Sequence, residues 1–192
     1  MAQPKILAFA GATRTGSWNK KLIRVGAGLA SEAGCEVTLV DLRDYPMPFY
    51  DGDTEAAEGL PEKARALKAL MLANDAFLLS CPEYNSSITA LLKNTIDWTS
   101  RPRPDEPNAF KGKIAGLLAA SPGNLGGVRG LLTVRQVLTT LGVLVVPTQF
   151  AVSHAAGAFA EDGSLKDERQ HESVRAVVSQ LIEVTSALRR AP

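Results

Sequence analysis

Cysteine is nearly missing from this chain: 192 residues hold two, Cys35 and Cys81. Two isolated thiols form neither a metal-binding pattern nor a disulfide framework. Reduced thiols in a cytoplasmic protein are therefore the expectation. In that compartment Asn85-Ser-Ser87, which has the spacing of a glycosylation acceptor, goes unused. An excess of either charge is missing too. Twenty-one basic residues face 20 acidic ones, for a net charge of +1, which excludes the clustered basic surface of a nucleic-acid binder. No apolar run reaches the 18 residues of a membrane span. The amino-terminal Met1-Ala-Gln-Pro4 leads straight into a strand, so no signal peptide is expected. There is no internal repeat and no low-complexity linker. Gly-x-Gly-x-x-Gly for a dinucleotide and Gly-Lys-Ser/Thr for a nucleoside triphosphate are both absent. No Ser-His-Asp or Cys-His constellation stands out around the two histidines, His154 and His171, which read as structural or solvated.

What is present is a globular composition, 45% apolar and 21% charged, of a length that suits one α/β domain. Lys5–Ala10 reads as a buried strand. Leu22, Val25, Leu29 and Ala33 then fall at helical spacing, Gly34 stops the helix, and Glu36–Asp41 is a second strand. This is a right-handed βαβ unit. Leu42–Leu60, with Pro46, Pro48, Tyr45, Phe49 and Tyr50, predicts a long irregular connection, its aromatics packing on a partner or covering a ligand. Pro61 opens a helix with Ala64, Leu67 and Met71 inward. Ala76–Ser80 is a third strand. The helix after it places Ile88, Leu91, Leu92, Ile96 and Thr99 on one face. Arg101-Pro-Arg103-Pro is a proline-punctuated excursion whose arginines meet a phosphate, a partner subunit or solvent. Lys113–Ala120 and Leu144–Gln149 are the fourth and fifth strands, with Pro147 marking the fifth as a sheet edge. Inward positions follow each: Leu131, Val134, Val137, Leu138 and Leu141, then Val174, Val177, Val178, Leu181 and Ile182. Short, continuously apolar strands alternating with helices predict a doubly wound three-layer α/β sandwich around a five-stranded parallel sheet of order 2-1-3-4-5.

That topology brings the carboxyl ends of strands 1, 3 and 4 side by side, and these carry the chain's three most unusual loops. Gly11–Asn19 offers hydroxyls at Thr13, Thr15 and Ser17, an amide at Asn19 and a cation at Arg14. Gly11 and Gly16 free the backbone to turn its N–H groups inward, ahead of a helix N-terminus that favours an anion. An ordinary Ser/Thr helix cap would read similarly. Cys81–Ile88 presents Glu83, Tyr84 and Asn85, which alone would also suit a plain turn. Cys81 itself reads as a small buried apolar residue. Ser121-Pro-Gly-Asn-Leu-Gly-Gly127 allows main-chain N–H groups to approach something flat. Converging, the three loops suit a mononucleotide with a planar, hydrogen-bonding ring.

Gly11-x-x-Arg14-x-x-Ser17-x-Asn19, Pro82-Glu-Tyr-Asn85 with Leu92-Lys-Asn94 and Ile96-Asp-Trp98, and Ser121-x-Gly123-x-x-Gly-Gly127 resemble the NADPH-dependent FMN reductases, in the branch of quinone, azo-dye and chromate reductases. The resemblance covers nearly the whole chain. It implies a flavodoxin-like fold, non-covalent FMN, NADPH or NADH as co-substrate, a small-molecule acceptor and a homodimer or homotetramer. It places a phosphate loop on Thr13, Arg14, Thr15, Gly16, Ser17, Trp18 and Asn19. Its ring-contacting loop falls on Pro82, Glu83, Tyr84 and Asn85, and its glycine loop on Ser121, Gly123, Gly126 and Gly127. Ala12 replaces a serine frequent in relatives, and Leu132 a tyrosine found in some quinone-reducing ones. Thr89 replaces a frequent proline, which predicts a less rigid entry into the following helix. No catalytic side chain is implied, because the chemistry belongs to the flavin. An electron carrier of the flavodoxin kind, or a flavin-free domain on the same fold, are the competing expectations.

Overall fold

The computed structural model describes residues 3–102 and 107–190, so the sequence expectation for Arg103 lies outside the described residues. The alternation of burial along the strands explains the architecture. In β1 (Lys5–Ala10), β3 (Ala76–Ser80) and β6 (Ile114–Ala120) almost every residue is buried, as a sheet covered on both faces requires. Ile6, Ala8, Ala10, Leu78 and Leu118 point into one core, under α1 (Trp18–Glu32) and α7 (Glu168–Arg190). Leu7, Phe9, Phe77, Leu79 and Leu117 point into the other, under α3 (Glu62–Ala73), α4 (Ala90–Thr99) and α5 (Val128–Thr140). β2 (Glu36–Val40) and β7 (Leu144–Val152) complete a parallel sheet of order β2-β1-β3-β6-β7. With the short hairpin β4 (Glu83–Tyr84) and β5 (Ser87–Ile88) set aside as a separate two-stranded sheet, this is the 2-1-3-4-5 order of a flavodoxin-like domain.

Most expected faces hold, and the exceptions have local causes. On α1 the buried stripe is Leu22, Ile23, Gly26, Ala27, Leu29 and Ala30, while Val25 is half-buried and Ala33 exposed. The stripe is rotated because α1 lies very close to the sheet at Gly26. A Cβ there would stand 2.9 Å from Leu78 and 3.2 Å from Leu118. Pro61 sits at the cap of α3 and not inside its first turn. Pro147 lies on an edge strand, as expected, but the strand runs three residues further, to Val152. Between Ala115 and Leu117 the β6–β7 register shifts, so that Val145 pairs with Ala115 and Gln149 with Leu117. The bulge takes in Pro147, which has no N–H to give a ladder.

Leu42–Leu60 is more ordered than expected. It holds a 3-10 turn, Leu42–Asp44, and a two-turn helix α2 (Gly52–Glu58), whose cap Asp51 accepts from the Thr54 N–H at 2.8 Å. No residue of α2 is buried, so it has no apolar periodicity to betray it. Tyr45 packs half-buried against the second core, and the Tyr50 ring meets Trp98 edge-on at 5.0 Å. These two aromatics therefore take part in the chain's own packing, while Phe49 stands out, 79% exposed. Arg101 is also internal. It covers the Tyr50 ring at 5.0 Å and donates to the Tyr50 hydroxyl and the Asp97 carbonyl. The Asn94 amide and Trp98 Nε1 both donate to the Pro48 carbonyl at 2.8 Å, pinning the connection to α4.

Candidate functional site

The carboxyl ends of β1, β3 and β6 open into one cleft with a cavity of about 260 Å³. Its walls come from all three loops: Gly11–Arg14 and Ser17–Asn19, then Pro82–Tyr84, then Ala120–Pro122, with Thr89–Leu91 as the floor of the helix entry. Of the residues expected at the site, Thr13, Arg14, Ser17, Trp18, Asn19, Pro82, Glu83, Tyr84 and Ser121 line it. Thr15, Gly16, Asn85, Gly123, Gly126 and Gly127 lie in the same loops but outside the lining.

The first loop is built around unused donors. Gly11 N–H is tied to the Ser80 carbonyl at 2.9 Å, and Ser17 N–H to the Arg14 carbonyl at 3.2 Å. Between them, none of the backbone N–H groups from Ala12 to Gly16 donates to any described residue. Consecutive unpaired N–H groups leading into a helix N-terminus make a concave anion site. Ser17 caps α1 by accepting from Lys20 N–H at 3.4 Å, and its own hydroxyl proton has no acceptor among the described residues. The Arg14 guanidinium stands over the Trp18 indole, 5.3 Å from the centroid, and remains exposed. Asn19 has a different job. Its Oδ1 accepts from Ser80 Oγ at 2.9 Å and Ala120 N–H at 3.0 Å, and its Nδ2 donates to the Ala120 carbonyl at 2.8 Å. One buried amide thus bolts α1 to the ends of β3 and β6.

The middle loop is a tight hairpin. Glu83 pairs with Ile88 and Tyr84 with Ser87, leaving Asn85 and Ser86 as the two turn residues, at φ 51° and 62°. Two successive left-handed residues are what a hairpin of this loop length favours, and Asn tolerates that conformation well. Asn85 is therefore a turn-former at the exposed tip, and Tyr84, 64% exposed, is the residue the turn holds at the cavity mouth. The Glu83 carboxylate accepts from Gly130 N–H at 2.9 Å, in the first turn of α5, where Gly127 as cap offers no side-chain acceptor. An acid at a helix N-terminus suits the dipole, and this one welds the hairpin to the glycine loop. Arg129 donates to Ser86 Oγ at 3.3 Å beside it. Thr89, expected to loosen the helix entry, does the opposite. Its hydroxyl is buried, donates to the Gly11 carbonyl at 2.9 Å and caps α4 through Leu92 N–H.

In the third loop Gly126 (φ 63°) has no room for a side chain: a Cβ would meet the Ala151 and Val152 backbone at 2.8 Å. At Gly127 (φ 102°) a Cβ would stand 3.0 Å from that of Ala119. Ser121 is fixed by its N–H to the Val152 carbonyl, and His154, left-handed at φ 47°, donates its N–H to the Gly123 carbonyl. His154 faces a separate shallow cleft, away from the main cavity. Burial pushes the Cys81 thiol up to about 12, so it stays protonated and inert.

Three residues that the sequence did not single out brace the first loop from behind. Lys20 and Arg43 both donate to the Thr13 carbonyl, and Arg43 also donates to Thr15 Oγ1 at 3.0 Å. Asp41 pairs with Lys20 and accepts from the Arg43 backbone N–H at 3.0 Å. Burial alone would raise the Asp41 carboxyl, but the Lys20 ammonium, the Arg43 N–H and both nearby charges outweigh it and hold it below the ordinary carboxylate range.

The chain is similar to several known proteins. The chain is 36% identical over 172 residues to a NAD(P)H-dependent FMN reductase of Pseudomonas aeruginosa, covering 89% of each chain. It is 34% identical over 184 residues to a NAD(P)H:quinone oxidoreductase of Solanum tuberosum, covering 92% of this chain and 91% of that one. Among solved structures, a flavoenzyme NAD(P)H:(acceptor) oxidoreductase of Paracoccus denitrificans superposes with a TM-score of 0.82 at 29% identity, over 96% of this chain and 98% of the other. The profile of one family matches residues 4–157, from the strand before the anion loop to the short helix after β7, and the chain belongs to that family, the NADPH-dependent FMN reductases.

Proposed function

We propose that this protein is an FMN-dependent NAD(P)H:acceptor oxidoreductase whose cofactor lies across the three-loop cleft, its phosphate on Thr13–Asn19. The observation that carries the reading is the run of unpaired N–H groups from Ala12 to Gly16 opening onto the amino end of α1. Such a cradle favours a phosphate and disfavours an apolar ligand. Ser17 Oγ and the Arg14 guanidinium add a hydroxyl and a charge from the side chain. Pro82, Glu83 and Tyr84 border the ring, with Tyr84 at the mouth, and Asn85 acts through the turn that presents them. Ser121 borders the ring edge, and Gly123, Gly126 and Gly127 shape the loop behind it, with the Ser121 and Gly126 N–H groups given to the Val152 and Gly123 carbonyls.

FMN held there would supply the redox chemistry, a two-electron transfer from NAD(P)H to a quinone or similar acceptor. The chain's own part is to hold and to shield. The half-open cleft leaves one side of the site reachable for nicotinamide and acceptor in turn. Cys81 takes no part, being buried and protonated. A homodimer or homotetramer is the form we assign. Leu132 (59% exposed), Leu125 (48%) and Tyr84 (64%) support it as apolar surface presented by α5 and by two of the site loops. Two buried, unbridged cysteines fit a reducing cytoplasm.

Steady-state oxidation of NADPH and of NADH by the purified protein, with FMN and a benzoquinone, tests the proposal. Turnover that needs both protein and FMN is the expected result. A protein that stays colourless after incubation with FMN would overturn it. One that holds FMN yet leaves both nicotinamides unoxidised would be an electron carrier.

A further inference from the structure

The first loop has a feature that anion binding alone does not require. Thr13, Arg14, Thr15 and Gly16 are all exposed and belong to no helix or strand. Such a segment samples many conformations, and closing it around a ligand costs ordering entropy. Yet two cations reach it from behind. Lys20, on α1 and only 7% exposed, and Arg43, in the 3-10 turn after β2, converge on a single acceptor, the Thr13 carbonyl. Arg43 takes a second hold on Thr15 Oγ1. Neither cation is free to wander. Asp41 pairs with the Lys20 ammonium and accepts from the Arg43 backbone N–H, so one carboxylate holds the first cation directly and fixes the turn from which the second side chain reaches.

In a trans peptide the carbonyl and the following N–H point in opposite directions. Pulling the Thr13 carbonyl toward Lys20 and Arg43 therefore turns the Arg14 N–H away from them. That N–H has no partner among the described residues, and Arg14 lines the cavity. We propose that Arg43 and Lys20, the latter held by Asp41, are positioning residues that preset the Thr13–Gly16 backbone for a phosphate before the cofactor arrives. The inference rests on the assignment of the FMN phosphate to this loop. It adds that the loop's affinity is set from outside the cavity, by residues that touch no cofactor.

Riboflavin, which lacks the phosphate, separates this role from a general one. Apoprotein is titrated with FMN and with riboflavin by flavin fluorescence, for the parent, Arg43→Ala and Arg43→Lys. Arg43 is exposed, so its truncation leaves the core unaltered, and far-ultraviolet circular dichroism checks the fold of each variant. Arg43→Ala is expected to weaken FMN by about tenfold, the scale of losing charged hydrogen bonds to a site's support, and to leave riboflavin unchanged. Arg43→Lys, one point charge in place of a fork, should recover only part of the loss. Equal weakening of FMN and riboflavin, or no change in either, would overturn the positioning role. A parent protein that binds riboflavin as tightly as FMN would instead remove the phosphate assignment itself.

Discussion

Thr13–Gly16 and Tyr84–Ser87 sit at neighbouring strand ends, are equally polar and mostly exposed, yet they are held in opposite ways. The hairpin satisfies its own backbone: Glu83 pairs with Ile88, Tyr84 with Ser87, and the turn residues adopt the left-handed geometry the pairing needs. The first loop leaves its N–H groups unpaired and takes its shape from side chains outside it, Lys20 and Arg43. A loop that closes on itself can present a side chain, here Tyr84, at a fixed place. A loop held from behind can present main-chain donors. The cleft needs both kinds of surface, an aromatic wall and an anion cradle, and neither loop could supply the other's.

The contrast predicts that damage to the first loop appears in cofactor affinity and damage to the hairpin in stability. The largest effect is expected from Arg14→Ala combined with Ser17→Gly. Gly is chosen at 17 because Ser17 is the cap of α1, and Gly costs a cap only a few tenths of a kcal/mol. Losing a cation and a hydroxyl should lower FMN affinity by about 100-fold, or roughly 2.7 kcal/mol. Thermal unfolding of the apoprotein should barely move. A fall in apoprotein stability matching the loss of affinity would erase the distinction between the loops.

Glu83→Ala is the reverse experiment, with a smaller effect. It takes the acceptor from Gly130 N–H and uncouples the hairpin from α5. The helix start then lacks a side-chain cap, at a cost of about 1–2 kcal/mol. For a chain of this size that is a drop of roughly 2–8 °C in the apoprotein's melting temperature. Glu83→Gln, which keeps an acceptor oxygen, should restore most of it. If Glu83→Ala instead left stability unchanged and abolished turnover, the carboxylate would be working on substrate and not on the helix.

These differences mark how far the sequence alone could be read. The central strands were legible because Ala76–Ser80 is apolar up to its last residue and Ile114–Ala120 carries no polar side chain, as burial on both faces requires. The three loops were legible because glycines, hydroxyls and prolines punctuate them after each strand. α2 was not, since a helix that buries nothing shows no period. The Lys20–Asp41–Arg43 brace was invisible for another reason. It joins the first turn of a helix to the end of a neighbouring strand, and in sequence each residue looks like ordinary surface charge. Only the β1–β2 pairing brings them to one carbonyl. Glu83 was half legible: its place beside the site could be read, its partner on α5 could not.

Asn85 gives the finest test of the comparison, because sequence and structure weight it differently. The motif places it at the ring, whereas the fold puts it at the hairpin tip, at φ 51° and outside the cavity lining. Asn85→Gly keeps the left-handed conformation without the amide. Asn85→Ala loses the amide and must also hold a Cβ in a region that costs an ordinary residue about 1 kcal/mol. The structure predicts that the Ala variant is less stable by about that amount, that the Gly variant stays within roughly 0.5 kcal/mol of the parent, and that the Gly variant keeps its FMN affinity. Chemical denaturation and flavin titration on the same two proteins measure both quantities. If Asn85→Gly is as stable as the parent but binds FMN several-fold more weakly, the amide reaches the ring when the cofactor is bound. The hairpin would then present two side chains to the cleft, and its turn would serve binding as well as shape.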